Sequence, residues 1–238
     1  MNRWLTRICT AGLLAGVGMS LGSCASNDDM LVIIGAMAAS PPDCTFDASS
    51  SAKLLMSGIV DRAFGTKYTA VLLVSNQLAS RGSKSRLRAE TSSVTVNNAE
   101  VRLLADGKDS LDFYSVPASG YIPVGSGEDS GYGVIAIDVL PGGSVNIPDG
   151  TNFVIAEIRL QGTTLGGKDI ESNLFRYEIF VVNSDSRAGG LVSYNVAGGC
   201  QCSSTSSSTV SSCFPGQDAV VPCCSCMSQP FCQQVPPP

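Results

Sequence analysis

Short apolar runs that alternate with polar residues are the feature of this sequence that most limits its fold. In residues 133–140, Ile135, Ile137 and Val139 share one parity, and residues 153–160 and 174–182 alternate in the same way. A period of two gives a β-strand one apolar face, whereas an amphipathic helix needs a period of about 3.6. Glycine, proline, asparagine and aspartate stand between the runs and are typical of turns. The pattern therefore predicts an all-β fold.

Two further segments refine this prediction. Residues 68–78 are apolar on both parities, which is typical of a central strand buried on both faces. The parity of the apolar residues slips at Asn97-Asn98, which indicates either a β-bulge or a two-residue turn. No amphipathic helix is evident after the first 24 residues. Short strands of this kind predict an antiparallel immunoglobulin-like β-sandwich over residues 30–195, although the Cys…Trp…Cys core of antibody domains is absent.

The N-terminal segment has the layout of an export signal. Arg3 and Arg7 precede an apolar run over residues 8–21, which is shorter than the roughly 20 residues of a transmembrane helix. The run ends in Leu21-Gly22-Ser23-Cys24, which resembles the lipobox of bacterial lipoproteins: a leucine, two small residues and a cysteine. This resemblance implies cleavage before Cys24, diacylglycerol on its thiol and acylation of the new amino group. The alternative is an ordinary signal peptide, with Cys24 joined to another thiol.

Under the lipobox interpretation, residues 1–23 are a cleaved signal peptide and residues 24–29 are an acylated tether. More than one acyl chain makes membrane attachment stable, since a single chain binds a bilayer only marginally. The residue after the cysteine is Ala25, whereas an aspartate there retains lipoproteins in the inner membrane under the best-known sorting rule. We therefore expect a lipid-anchored protein of the cell envelope, at the outer membrane, on its periplasmic face or at the cell surface.

Cysteine usage predicts a disulfide framework. Of ten cysteines, Cys9 lies in the signal segment and Cys24 is the expected lipidation site. The remaining eight are an even number in an exported chain, which predicts four disulfides of open connectivity. Most of them fall in residues 196–238, a predicted loop-dominated C-terminal module. The eight are Cys44, Cys200, Cys202, Cys213, Cys223, Cys224, Cys226 and Cys232.

A metal cluster is the alternative for these cysteines. Their C-x-C and C-C-x-C spacings differ from the paired C-x₂₋₄-C of structural zinc sites, and thiolates are oxidised in exported proteins. The sequence contains no histidine, which excludes Ser-His-Asp and Cys-His catalysis as well as His-ligated zinc. We therefore predict no metal, no cofactor and no catalytic residue.

Acidic segments give no recognisable site. Asp129-Ser130-Gly131 matches the Asp-Ser-Gly turn of aspartic proteases, but those enzymes need two such aspartates, and there is one copy here. Two other segments offer oxygen ligands, yet neither follows the spacing of a calcium-binding EF-hand loop, so solvated turns are expected. They are Asp106, Asp109 and Asp112, and Asn183 with Asp185.

Charge argues against a nucleic-acid partner. Removal of residues 1–23 takes Arg3 and Arg7 from the 15 basic residues, and the 13 that remain face 20 acidic ones, a net charge of −7. Binding to nucleic acid needs clustered lysine and arginine on the protein surface. The predicted partners are the membrane, through the lipid on Cys24, and a protein of the cell envelope.

Four segments occur in a recognisable order: Leu21 to Cys24, residues 68–78, residues 99–103, and residues 213–224 with their cysteines. This order resembles the uncharacterised cysteine-rich lipoproteins predicted in myxobacteria and related bacteria. The resemblance implies an exported, tethered domain, and it supplies no catalytic residues.

The function predicted from these features is that of a non-enzymatic envelope lipoprotein, a structural or protein-interaction module. Sandwich domains bind through loops and exposed edges, so residues 105–130 and 200–232 are the expected contact regions. A lipoprotein that binds a small ligand or glycan is the alternative, although the mature chain lacks tryptophan because Trp4 lies in the signal segment. A hydrolase is the third hypothesis, and it requires two clustered carboxylates in a cleft.

Overall fold

The computed structural model describes residues 30–40, 43–83, 88–126, 129–142, 147–184, 190–193 and 213–222, without the side chains of residues 109–113, 192, 193 and 222. Within these ranges the protein is all-β, as predicted, and contains no α-helix. No helix of the described part is long and apolar enough to cross a membrane. The twelve strands are β1 (Leu31–Met37), β2 (Leu54–Leu55), β3 (Gly58–Asp61), β4 (Lys67–Asn76), β5 (Val94–Ala105), β6 (Asp109–Ile122), β7 (Gly131–Pro141), β8 (Phe153–Thr164), β9 (Asp169–Glu171), β10 (Phe175–Val182), β11 (Val192–Ser193) and β12 (Val221–Pro222).

The strands form two large sheets and one small one. A four-stranded sheet has the order β2-β1-β4-β7, and every pair in it is antiparallel. A six-stranded sheet has the order β3-β10-β8-β5-β6, with β9 added to β8. This second sheet is mixed, because β3 runs parallel to β10, and β11 also pairs in parallel with β12. The expectation of a purely antiparallel arrangement is therefore wrong at these two pairs.

Two details of the sequence pattern are confirmed. The segment predicted to be a central strand is β4, which lies between β1 and β7. All residues of β4 from Ala70 to Asn76 are buried, so both faces of the strand are covered, and only Lys67 and Thr69 at its beginning are more exposed. The slip in parity at Asn97-Asn98 is a β-bulge, since the register of β5 shifts between Val96 and Asn98 against both neighbours. The bulge lets one long strand keep its apolar residues inward on either side of the shift.

The two large sheets contribute inward-facing side chains to one hydrophobic core. Alternate residues of β5 and β8 are fully buried, as the period-two pattern predicts, and they join buried residues of β1, β4 and β7 in a single cluster. Its largest fully buried side chains are Tyr68, Leu31, Leu72, Leu103, Ile122, Ile135, Ile137, Leu140, Ile158, Leu160 and Ile179.

Glycine allows β6 and β7 to approach closely where the two sheets meet. A Cβ at Gly120 would lie 2.2 Å from Cδ1 of Ile135, and one at Gly133 would lie 2.8 Å from Cγ1 of Ile122. The Tyr114 hydroxyl donates a hydrogen bond from β6 to the carbonyl oxygen of Val139 in β7. These contacts hold the last strand of each sheet against the other.

A smaller apolar cluster covers the outward face of the four-stranded sheet. Met37, Val71 and Leu73 are buried there beneath Phe46 and Phe214, whose ring centroids are 6.4 Å apart. A disulfide joins Cys44 to Cys213, next to these two phenylalanines in the chain. The beginning and the end of the described chain are thus tied together over this sheet.

Candidate functional site

The face of the six-stranded sheet that points away from the core, which we call the outer face, is ordered in rows by strand register. Its rows are apolar at one end, charged in the middle and rich in amides at the other end. In that order they are Ile59, Phe180 and Phe153; Glu178, Ile155 and Leu104; Arg176, Glu157 and Arg102; Arg159 and Glu100; and Gln161 and Asn98.

Glu157 lies at the centre of the outer face, and its side chain is only 2% exposed. Arg102 donates through Nε and Nη2 to Oε2, and Arg176 donates through Nε and Nη2 to Oε1. The two Nε–O distances are 2.7 Å and 2.8 Å. Both carboxylate oxygens are therefore occupied, and the carboxylate fixes two arginines of neighbouring strands in one arrangement.

The charge of Glu157 is set by these two arginines. Burial alone would raise the pKa of its carboxyl group, but the hydrogen bonds and positive charges of Arg102 and Arg176 hold that pKa below its usual value. The carboxylate is thus ionised at neutral pH, with two positive charges around one negative charge. Counted alone, these three side chains carry one excess positive charge, and Glu178 and Glu100 lie in the adjacent rows.

We expect Glu157→Gln to lower the free energy of unfolding by about 2–3 kcal/mol at neutral pH, because an amide accepts from one guanidinium but turns an N–H towards the other. In the unsubstituted protein this stabilisation is present above the unfolded-state pKa of about 4.3 and is lost as the pH falls through the lower folded-state pKa. The variant lacks that acid dependence. Urea unfolding at neutral pH and in a series of acidic buffers measures both effects.

Glu171→Gln is the matched control for this variant. The exposed carboxylate of Glu171 lies 3.6 Å from Arg159 in the neighbouring strand. Exposed ion pairs contribute less than about 1 kcal/mol, so the control is expected to change stability little. Equal losses in the two variants would contradict the central role of Glu157.

Two pockets of the described surface are small. One, of ≈160 Å³, lies beside the arginine cluster and is lined by Glu100, Arg102, Glu157, Arg159 and Leu174. The other, of ≈240 Å³, is lined by residues that include Asn76, Ser80 and Asp129. Small-molecule sites usually have volumes of about 300–1,000 Å³. The outer face is therefore suited to contact with a surface more than to enclosure of a ligand.

The apolar end of the outer face is partly open to solvent. Phe153 and Phe180 pack edge to face with ring centroids 6.5 Å apart, and Phe180 is 40% exposed. Ile59 is the register partner of Phe180, and Leu104 is that of Ile155. We call these five residues the apolar patch. Grouped apolar side chains beside fixed charged ones are typical of protein contact surfaces.

Residues 213–222 lie against β3 and β4. The Gln217 side chain accepts from the Thr69 N–H at 3.2 Å and donates to the Thr69 carbonyl oxygen at 3.3 Å. The Asp218 carboxylate reaches inward and accepts from the Ile59 N–H at 2.7 Å and from the Tyr68 hydroxyl at 2.8 Å. This segment therefore completes the edge of the sheet at β3.

Two tyrosines extend this contact into the core. The hydroxyl oxygens of Tyr68 and Tyr177 are 3.1 Å apart. Because Tyr68 gives its one proton to Asp218, Tyr177 is the donor to Tyr68. Burial raises the pKa of Tyr177 to about 12 and that of Tyr68 further, so both stay protonated. The chain of bonds is structural, linking both sheets to residue 218.

Asp61, at the end of β3, is a second buried carboxylate. Its Oδ1 accepts from the N–H groups of Ala63 at 3.1 Å and Ser184 at 3.0 Å. Its Oδ2 accepts from the N–H of Leu191 at 2.8 Å and from the Ser184 hydroxyl. Asp61 thus fixes both ends of residues 184–191 and the turn after β3.

The structure places some of the residues singled out in the sequence. Cys44 and Cys213 form a disulfide, whereas Cys24, Cys200, Cys202, Cys223, Cys224, Cys226 and Cys232 lie outside the described residues. The prediction of one solvated acidic turn at residues 106–112 is wrong, since the turn is limited to residues 106–108 and Asp109 and Asp112 belong to β6. Likewise most of the expected contact loop 105–130 is strand β6.

The remaining acidic segments have simple local roles. Asp106, in the turn between β5 and β6, has φ +46° and accepts from the N–H of Asn152 at 3.0 Å, so it ties this turn to the beginning of β8. Asp129 is exposed, and its N–H donates to the Ser126 carbonyl oxygen at 3.3 Å. Asp185 lies outside the described residues. Within the described part, no group of three or more histidine, cysteine, aspartate or glutamate residues is placed to hold a metal ion.

The arginine cluster is not evident from the sequence. Alternation in β8 and β10 placed Glu157 and Arg176 on a polar face, but the partners depend on the register between β5, β8 and β10. No protein-family model, curated protein or solved structure matches the chain. The outer face is therefore interpreted from its own geometry.

Proposed function

We propose that this protein is a non-enzymatic lipoprotein of the cell envelope that binds a protein partner. Acyl chains on Cys24 anchor it, most simply at the outer membrane, and the β-domain is the part that recognises the partner. The lipobox supports the anchor, and the disulfide between Cys44 and Cys213 is in keeping with an oxidising compartment.

The proposed arrangement of the domain is an immunoglobulin-like sandwich. Support comes from the common core, to which both large sheets contribute alternate residues, and from the close approach of β6 and β7. The remaining six predicted disulfide cysteines are proposed to form bridges within the C-terminal module.

The observation on which this function rests is the composition of the outer face. It combines the apolar patch with the fixed cluster of Arg102, Glu157 and Arg176 in the adjacent rows. Protein interfaces typically join an apolar centre to arginine and aromatic side chains, and arginine and aromatic residues contribute most of their binding energy. The small pockets favour this reading over capture of an enclosed ligand.

Intact mass of protein purified from native membranes tests the anchor. The expected mass corresponds to a chain that begins at Cys24 and bears acyl chains, and sedimentation of separated membranes is expected to place it with the outer membrane. A soluble species without lipid would overturn the anchor and return Cys24 to the set of disulfide cysteines.

Site-specific photo-crosslinking in intact cells tests the contact surface. A photoreactive amino acid at position 180 is expected to give a discrete protein adduct. Position 34 is the matched control, since Ile34 is 41% exposed and Phe180 is 40% exposed, but Ile34 belongs to the four-stranded sheet. Adducts of equal yield at both positions, or none at position 180, would contradict the assignment of the outer face.

A further inference from the structure

One end of the domain is defined by the point at which the chain enters it, and we call this the tether end. The Gln77 N–H donates to the Met30 carbonyl oxygen at 2.8 Å, and Leu31 pairs with Asn76. The Asn76 side-chain amide donates to the carbonyl oxygens of Ser92 at 3.0 Å and Ile122 at 3.4 Å. The loops after β4 and β6 therefore meet at the same end as Met30.

The tether end exposes apolar and basic side chains together. Leu165, in the turn after β8, is 55% exposed, and its N–H donates to the Ser93 carbonyl oxygen at 2.8 Å. Tyr121, next to Ile122, is 54% exposed. The exposed basic residues are Arg81, Arg88 and Lys168, and none of them forms an ion pair with another residue of the described ranges.

None of the described carboxylates at this end forms an ion pair with those cations, although the exposed Asp129 and Asp169 lower the net positive charge of the surface. Glu90 is held inside its own loop, because its Oε2 accepts from the Ser80 hydroxyl at 2.6 Å and the Gly82 N–H at 2.8 Å. Asp169 accepts from the Thr163 hydroxyl at 3.2 Å, and Asp129 is exposed in the loop before β7. Leucine and tyrosine flanked by arginine and lysine are the side chains that settle at the boundary between lipid headgroups and acyl chains.

The tether is short compared with the domain. Residues 24–29 are six residues, which reach at most about 20 Å when fully extended. The ten residues of β4 rise by about 30 Å from Lys67 to Asn76 at the usual advance per residue. An acylated Cys24 therefore keeps the tether end close to the bilayer, and this proximity makes even weak surface contacts effective.

We propose that the tether end is a membrane-docking surface, with Leu165 and Tyr121 at the level of the phospholipid headgroups and Arg81, Arg88 and Lys168 on their phosphates. This inference rests on the proposed anchor at Cys24. Docking of this surface would give the anchored domain a fixed orientation relative to the bilayer. The apolar patch lies at the opposite end of β8 and β10, and it faces away from the bilayer towards a partner.

Tryptophan fluorescence tests the orientation, because the mature chain contains no tryptophan of its own. Mature acylated protein carrying Leu165→Trp is reconstituted into vesicles of phosphatidylethanolamine and phosphatidylglycerol, with and without brominated acyl chains. The expected result is a blue shift of the emission and its quenching by the brominated lipid. Phe180→Trp is the matched control, and its emission is expected to be unaffected.

The outcomes separate this inference from the proposed anchor. Tyr121→Trp is a second probe at the tether end, used if Leu165→Trp does not fold by circular dichroism. Acylated protein that floats with the vesicles but shows no quenching at either position would overturn the docking surface and leave the anchor intact. Quenching of Phe180→Trp alone would reverse the orientation and overturn the docking surface. A mass without acyl chains overturns the anchor and, with it, this inference.

Discussion

Replacing Asp61 by alanine is expected to lower the free energy of unfolding by about 4 kcal/mol, a large effect for one substitution. Asp61 is fully buried, and its two carboxylate oxygens accept from three backbone N–H groups and from the Ser184 hydroxyl. Alanine removes the acceptor of all four bonds, three of which are buried. Buried donors that lose their acceptor cost more than the original bonds contributed.

Urea unfolding of the mature, oxidised protein measures this effect. Asp149→Ala is the matched control, because Asp149 is also an aspartate near β3, lies 3.1 Å from Arg62 and is fully exposed. Its removal is expected to leave the midpoint of unfolding nearly unchanged. Ser184→Ala removes one donor of the four and is expected to fall between the two. A loss for Asp61→Ala no greater than that for Asp149→Ala would contradict the role of this carboxylate.

The second large effect is expected for the double variant Cys44→Ser with Cys213→Ser. The disulfide spans 169 residues of sequence. Closing a loop of that length restricts the unfolded chain and stabilises the fold by up to about 5 kcal/mol. The variant also removes the covalent link beside Phe46 and Phe214, whose rings cover Met37, Val71 and Leu73 on the four-stranded sheet. We therefore expect a fall of about 3–5 kcal/mol in the free energy of unfolding.

Denaturant unfolding and limited proteolysis together check this prediction. The double variant is compared with Ser51→Ala, a substitution of an exposed serine in the same N-terminal segment that leaves the disulfide in place. Cleavage in residues 213–222 is expected to become faster in the double variant only. If the midpoint of unfolding and the cleavage rate match those of the control, the disulfide contributes nothing to the fold.

The sequence allowed prediction of strands wherever their burial is local and regular. β7, β8 and β10 each place apolar residues on one parity, and β4 is apolar on both, so their existence follows from period and length alone. β3 was not predicted, because its four residues Gly58–Asp61 are too few to show a period. Its parallel pairing with β10 joins residues about 120 positions apart, which no local pattern encodes.

The candidate site was predictable only as a polar face. Glu157 looked like any other polar residue on the exposed side of β8, yet two arginines from β5 and β10 make it a buried ion. The burial of Glu157 depends on strand register, because a shift of one residue would move its side chain to the other face of the sheet. Asp61 was equally inconspicuous, because its donors at Ser184 and Leu191 come from more than 120 residues later in the chain. Both sites therefore depend on contacts between residues that are far apart in the sequence.

The contacts of Gln217 and Asp218 make part of the fold depend on residues that are synthesised after both large sheets. The residues of strands β1 to β10 are synthesised before residue 213, yet the Ile59 N–H and the Thr69 N–H bond to side chains of residues 218 and 217, and the Tyr68 hydroxyl donates to Asp218. A chain cut short before residue 213 has every strand of both large sheets but lacks these three acceptors and the thiol that Cys44 needs. The domain is therefore complete only after residues 213–218 have joined it.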